Sequence, residues 1–193
     1  MTEIDLPGSW RDRALVWSAA ALPPLSHWFT EEELSVAQTF KLEKRRNEWL
    51  QARIVAKELA RRKGLCENPR DFTVTRPLIS ISHSGPYAAA AINAGIDVEV
   101  LRDVSEKAAR HFLIESEIAA MEHCTIAHRL LHFWCAKEAA WKARGGAVAL
   151  LRDVPLVLLE ETDRSLRFDG VESYATGDII MALTATCHVT STF

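Results

Sequence analysis

Between Thr30 and Gly64 the chain carries neither glycine nor proline and is rich in helix formers, so this stretch reads as one or two helices. Thr30 followed by Glu31-Glu32-Glu33 marks the start, with a capping hydroxyl and acids set against the positive end of the helix dipole. Short apolar runs broken by turn residues lie on either side. Ala14-Leu15-Val16-Trp17-Ser18-Ala19-Ala20, closed by Pro23-Pro24, reads as a buried first strand. Phe72 to Val74, Leu78 to Ser82 and Tyr87 to Ile92 read as further strands, and Gly95-Ile96-Asp97-Val98-Glu99-Val100 as another, alternating apolar and acidic residues. Helical patterns then run from about Ser105 to Arg144, and the tail returns to strands over Pro155 to Leu159, Leu166 to Phe168 and Ile179 to Val189. Helices followed by strands, twice over, point to an α+β fold with antiparallel sheets packed on helices.

A chain of 193 residues is long enough for one generous domain or two small packed halves. A net charge of −3 leaves no excess of Lys and Arg to neutralise phosphates, which argues against nucleic acid as a partner. Cys66, Cys124, Cys135 and Cys187 have neither the paired spacing of a zinc site nor the density of a disulfide framework, and reduced thiols are the simpler expectation. The first residues lack a basic region followed by an apolar run, and no apolar stretch approaches the roughly 20 residues that span a bilayer. These features predict a soluble, cytoplasmic protein with no membrane partner.

The sequence also echoes itself. Trp49-Leu50-Gln51-Ala52-Arg53-Ile54-Val55-Ala56-Lys57, continuing to Lys63-Gly64, resembles Trp134-Cys135-Ala136-Lys137-Glu138-Ala139-Ala140-Trp141-Lys142, continuing to Gly145-Gly146. With strands after each helix, the echo suggests two related halves, 1–94 and 95–193. Two unrelated amphipathic helices sharing a Trp and some basic residues are the plainer alternative.

Three segments could carry chemistry. On a strand, Asp97 and Glu99 lie on one face while Ile96, Val98 and Val100 face the core. Two such carboxylates repel unless a cation lies between them; a solvated outer face is the ordinary alternative. On a helix, Glu138 and Lys142 project from one face with Lys137 about 100° around the axis, flanked by Phe133, Trp134, Ala139, Ala140 and Trp141. That apolar coverage favours a cleft lining over a surface ion pair, although tryptophan at this spacing is commonly just core. Finally, Ile81-Ser82-His83-Ser84-Gly85 ends a strand with hydroxyls, an imidazole and free backbone N–H groups, a possible anion cradle. Ser82 and His83 point to opposite faces and do not form a catalytic dyad. Asp97, Glu99 and Glu138 beside two lysines and a histidine make up the hard-oxygen donors and anion-binding groups that suit Mg²⁺ on a phosphorylated ligand.

On these residues the chain resembles the 4′-phosphopantetheinyl transferase superfamily. Gly95-Ile96-Asp97-Val98-Glu99 is similar to its acidic strand, and Trp134 through Lys142 to its Trp-x-x-Lys-Glu-Ser/Ala-x-x-Lys helix. Phe112 and Glu117 resemble its Phe-x-x-x-x-Glu segment, Ile81-Ser82-His83-Ser84 its Ser-His-Ser strand end, and Arg76-Pro77 its Lys-Pro. Leu50-Gln51-Ala52-Arg53 resembles the N-terminal helix of the larger class. The resemblance implies a monomer built as a pseudo-dimer of two similar halves, each an antiparallel sheet packed on helices, with coenzyme A bound between them. It implies Asp97, Glu99 and Glu138 as Mg²⁺ ligands, Glu138 and Lys142 as catalytic residues, and Lys142 and His83 on coenzyme A phosphates with Lys137 nearby. Arg53, Arg76 and Ser82 are implied at the nucleotide end. Where members carry a basic residue for the 3′-phosphate, Glu31 to Ala37 is acidic and apolar, so Lys41 or Arg45 would take that place. The implied activity is that of a holo-carrier-protein synthase acting on coenzyme A and an apo acyl or peptidyl carrier protein. Arg102, Lys107, Arg110 and His111 are a candidate docking patch for the latter, and loss of Asp97 is expected to spare the fold. The competing readings are a Mg²⁺-dependent pyrophosphate hydrolase acting on a nucleotide and a non-catalytic module that binds coenzyme A or a carrier protein.

Overall fold

The computed structural model describes residues 1–75, 78–145 and 149–185. Its contacts divide the chain into two units, Met1–Ile92 and Asn93–Phe193. Among the described residues there are five α-helices and two antiparallel sheets, an α+β architecture. None of the helices is long and apolar enough to cross a membrane.

The first unit is a four-stranded sheet with one long helix against it. Its strands β1 (Thr2–Glu3), β2 (Ala14–Ser18), β3 (Ile79–Ser84) and β4 (Tyr87–Ile92) lie in the order β1-β2-β4-β3. The helical stretch divides into α1 (Glu31–Gln38) and α2 (Glu43–Arg62). Thr30 caps α1, accepting from the Glu33 amide at 3.3 Å, while the Glu33 carboxylate accepts from the Thr30 amide at 3.1 Å. From α2, Val55, Ala56, Leu59 and Ala60 pack against Leu15, Ile79, Ala88 and Ala90 of the sheet. The four alanines Ala88 to Ala91 in the middle of β4 are each no more than 1% exposed. Side chains this small let covering groups approach both faces closely.

The second unit also sets helices against an antiparallel sheet, here of five strands. Strands β5 (Ile96–Val100), β6 (Leu158–Glu161), β7 (Ser165–Phe168), β8 (Val171–Thr176) and β9 (Ile179–Thr184) form a sheet in the order β5-β9-β8-β7-β6. Helices α3 (Glu106–Phe112), α4 (Glu115–His123) and α5 (Arg129–Ala143) occupy the span read as helical. The core joins Leu131, Phe133, Cys135, Ala136 and Ala139 of α5 to Leu166, Phe168, Val171, Ile180 and Ala182 of the sheet. Phe133 and Phe168 meet edge to face, with centroids 4.9 Å apart. Gly95 marks where α5 comes closest. A Cβ there would lie 1.9 Å from the Ala139 carbonyl oxygen and 2.7 Å from the Ala143 amide nitrogen, so only glycine permits this seating of helix on strand.

Two expected strands are corrected, both for the same reason. Phe72 to Val74 does not join a sheet: the carbonyls of Arg70 and Phe72 are turned onto the ammonium of Lys57, at 3.3 and 2.7 Å. Pro155 to Leu159 begins pairing only at Leu158, because the Val154 carbonyl accepts from Lys137 and the Leu156 amide donates to Glu117 at 2.8 Å. Backbone groups committed to a buried ion pair cannot also enter a ladder. The end expected for the last strand, Val189, lies outside the described residues. Strand β8 was not anticipated, although Gly170 and Gly177, both at positive φ, bracket it as turns.

Candidate functional site

The residues singled out from sequence divide between the two units. In the second, β5 presents Asp97 and Glu99 to α5, and the acids do not form a solvated outer face. Asp97 is 3% exposed. Its Oδ1 accepts from Lys142 Nζ at 2.7 Å, which ties the strand to the last turn of the helix. Glu99 Oε1 accepts from the indole Nε1 of Trp134 at 3.0 Å and lies 3.5 Å from Arg102 Nη2. Glu138, one turn before Lys142, feels all of them. Burial pushes its carboxyl above the usual range, Lys142 pulls it down, and the charges of Asp97 and Glu99 push it up again. Asp97, Glu99, Glu138 and Lys142 are thus electrostatically one group, built where α5 crosses β5.

Among the described residues, no three His, Cys, Asp or Glu side chains are gathered as a ready-made metal cage. In this structure the cation beside Asp97 is the Lys142 ammonium.

Lys137, expected near the phosphates, is tied into the interior. Its side chain is fully buried, and its ammonium donates to Glu117 Oε1 at 2.8 Å and to the Arg152 and Val154 carbonyls. With these donors directed into the interior, it anchors α5 to α4 and the following turn. Burial pulls the ammonium toward neutrality and Glu117 holds it charged. Glu117 also accepts from the Ile114 amide at 3.0 Å, so one carboxylate both caps α4 and receives the buried lysine.

In the first unit, Ser82 is buried on β3, while His83 is half-buried. His83 Nε2 is 3.4 Å from Arg45 Nη1, and its Nδ1 is 3.9 Å from Glu48 Oε2. The pairing brings an imidazole and a guanidinium together at one strand end. Arg53 lies over the Trp49 ring, 3.7 Å from its centroid. Lys41 is exposed, and Arg76 lies outside the described residues. Arg102, Lys107, Arg110 and His111 are all exposed. Sequence reasoning used Trp134 and Glu117 as marks of the resemblance and gave neither a role at the site. The signal for Glu117 was its place at the third helical position, where an acid caps the helix start.

Residues 93–176 match the family model of the 4′-phosphopantetheinyl transferase superfamily. No curated protein matches the chain. The matched segment holds β5, α5 and the Asp97, Glu99, Glu138 and Lys142 group.

Proposed function

We propose, taking residues 93–176 as a domain of the 4′-phosphopantetheinyl transferase superfamily, that this protein transfers 4′-phosphopantetheine from coenzyme A to a serine of an apo carrier protein. The observation that carries the proposal is the convergence of Asp97, Glu99, Glu138 and Lys142 where α5 crosses β5 within the matched segment. Binding a nucleotide alone would not require three carboxylates coupled to one lysine.

The donor set fits Mg²⁺. It consists of hard carboxylate oxygens, and part of what raises the Glu138 carboxyl is the charge of Asp97 and Glu99, a repulsion that a divalent cation relieves. Asp97, Glu99 and Glu138 would hold the ion, which when bound supplies positive charge to the pyrophosphate oxygens. Lys142 is the cation of the group, and its ammonium would meet the leaving phosphate as negative charge builds there. Glu138, its basicity raised by burial, would accept the proton of the carrier serine. The serine Oγ forms its bond to the β-phosphorus of coenzyme A. The bond from that phosphorus to the bridging oxygen breaks, and adenosine 3′,5′-bisphosphate departs with the bridging oxygen. His83 and Arg45, set 3.4 Å apart, would receive phosphate charge, with Arg53, Arg76 and Ser82 toward the nucleotide.

The test is a mass spectrum of an apo carrier protein incubated with the enzyme, coenzyme A and Mg²⁺. The expected result is a gain of one phosphopantetheine, with one adenosine 3′,5′-bisphosphate released per carrier modified. Release of the bisphosphate without a carrier would replace the proposal with a pyrophosphate hydrolase. Binding of coenzyme A with no product would replace it with a non-catalytic module.

A further inference from the structure

We infer that Trp134 is a positioning residue that fixes the Glu99 carboxylate for metal binding, an inference that rests on the Mg²⁺ site proposed above. The indole Nε1 donates to Glu99 Oε1 at 3.0 Å. The ring itself is held by Phe112, whose edge meets it at 5.0 Å between centroids and 89° between planes. The chain Phe112, Trp134, Glu99 therefore runs from the core of the second unit to one oxygen of a proposed ligand. An indole is a neutral donor. It fixes the rotation of the carboxylate without cancelling its charge, whereas Lys142 offsets the charge of Asp97. Partners of this kind behind a ligand usually change metal affinity by about 10–100-fold when removed.

The first unit argues independently for this role. There α2 carries a buried lysine, Lys57, as α5 carries Lys137, and three positions before each stand Ile54 and Trp134. Ile54 is fully buried, so an aliphatic side chain satisfies the shared packing at that position. On the strand facing the helix, the first unit has Trp17 and no acid, and the second has Glu99. At this one helix position the indole stands in the unit whose facing strand carries Glu99, and Ile54 stands in the unit whose facing strand carries Trp17.

The experiment measures Mn²⁺ affinity by electron paramagnetic resonance on the full chain, without coenzyme A, for wild type, Trp134→Phe, Glu99→Ala and the double variant. Trp134→Phe keeps an aromatic ring against Phe112 and loses the N–H together with part of the indole's bulk. It should bind Mn²⁺ about 10–100-fold more weakly, and in the Glu99→Ala background it should have no further effect. If Trp134→Phe binds Mn²⁺ as tightly as wild type, or weakens it equally without Glu99, the positioning role is overturned and the metal site stands. Wild type with no Mn²⁺ binding would overturn the metal site and this inference together. Phe112→Leu controls for packing, since it loosens the same contact and retains the indole N–H. It should leave Mn²⁺ affinity nearly unchanged, and a loss equal to that of Trp134→Phe would assign the effect to packing and overturn the inference.

Discussion

The two units use the same device to hold their long helices, and they differ in what stands beside it. In the first, Lys57 of α2 donates to Glu33, the acid that caps α1, and to the carbonyls of Arg70 and Phe72. In the second, Lys137 of α5 donates to Glu117, which caps α4, and to the carbonyls of Arg152 and Val154. Each sheet then pairs its first long strand with the unit's last, β2 with β4 and β5 with β9. On the helix-facing side of that first strand stand Leu15 and Trp17 in one unit and Asp97 and Glu99 in the other. At the helix positions that follow the lysine, Glu58 is closed off by Arg61 and Arg62 at 2.8 Å each, whereas Glu138 feels both Lys142 and the like charges of Asp97 and Glu99. The same kind of lysine anchor therefore stands beside two different settings. With apolar strand residues the helix acid is neutralised into structure, and with acidic ones the helix acid is kept under electrostatic tension.

The sharpest way to break this comparison is to remove the acid that the first unit lacks. Asp97→Ala should lower transfer by about 10³-fold, several kcal/mol of charge stabilisation at the phosphates. Wild-type turnover at saturating Mg²⁺ would show that the strand acids are not what distinguishes the units. The same variant should also lower urea stability by roughly 2 kcal/mol, because Lys142 is left without Asp97 under the helix. This corrects the expectation that losing Asp97 spares the fold.

The shared anchor can be weighed next. Lys137→Met leaves Glu117, whose side chain is 1% exposed, with an uncompensated charge, and should cost about 4 kcal/mol in urea unfolding. Lys57→Met should cost clearly less, since the Glu33 side chain is 22% exposed and water can take over. Equal costs would mean that the two anchors differ in name only.

Acid offers a third lever. His132 in α5 is fully buried, with Nδ1 2.9 Å from Ser173 Oγ, and burial followed by the neighbouring His128 pulls it down from 6.5 to about 4. The corresponding place in α2, five residues before the lysine, is held by Ala52. A base depressed in the folded state contributes stability that is complete above its unfolded value and is lost as pH falls through the folded one. About 3 kcal/mol should therefore disappear between pH 6.5 and 4, and His132→Leu should show a flatter profile over that window in urea titrations. An unchanged slope in the variant would assign the acid sensitivity to other groups.

The smallest effect expected is at Glu58, which shares its place beside the buried lysine with Glu138 but lacks acidic neighbours on the strand. Glu58→Gln loses partly exposed pairs to Arg61 and Arg62 and should cost less than about 1 kcal/mol, with transfer unaltered in steady-state assays. A substantial loss of transfer would give the first unit a chemical role that the comparison denies it.

Much of this was legible in the chain. The alternation through Asp97 and Glu99 put both acids on one face, and the spacing of Glu138 and Lys142 put both on one side of a helix. What alternation cannot show is what covers a face: the acids lie under α5, and Gly95 is what lets the helix come so near. The echo read from sequence and the buried lysines align the two helices differently. Matching Trp49 with Trp134 set Lys57 against Lys142, whereas the hydrogen bonds set Lys57 against Lys137, so that Arg62 answers to Lys142. Tryptophan is the more conspicuous letter, but the buried lysine is the more constrained side chain. Neighbouring Lys137 and Lys142 look alike in sequence, and only burial separates the anchor from the member of the acidic group.

The pairing of β5 with β9 also has a consequence for the order in which the protein is made. Asp97 faces Ala182 across the ladder and Glu99 faces Ile180. On a ribosome the first unit can close as soon as β4 has emerged and found β2, while β5 must wait for nearly the whole of the second unit. Until then the two acids belong to an edge with no ladder partner, and α5 has no finished surface on which to seat Lys142. The nascent chain is thus kept from assembling its acidic group early. Chains cut short before Ile179 should be inert even with every acid and lysine of that group in place.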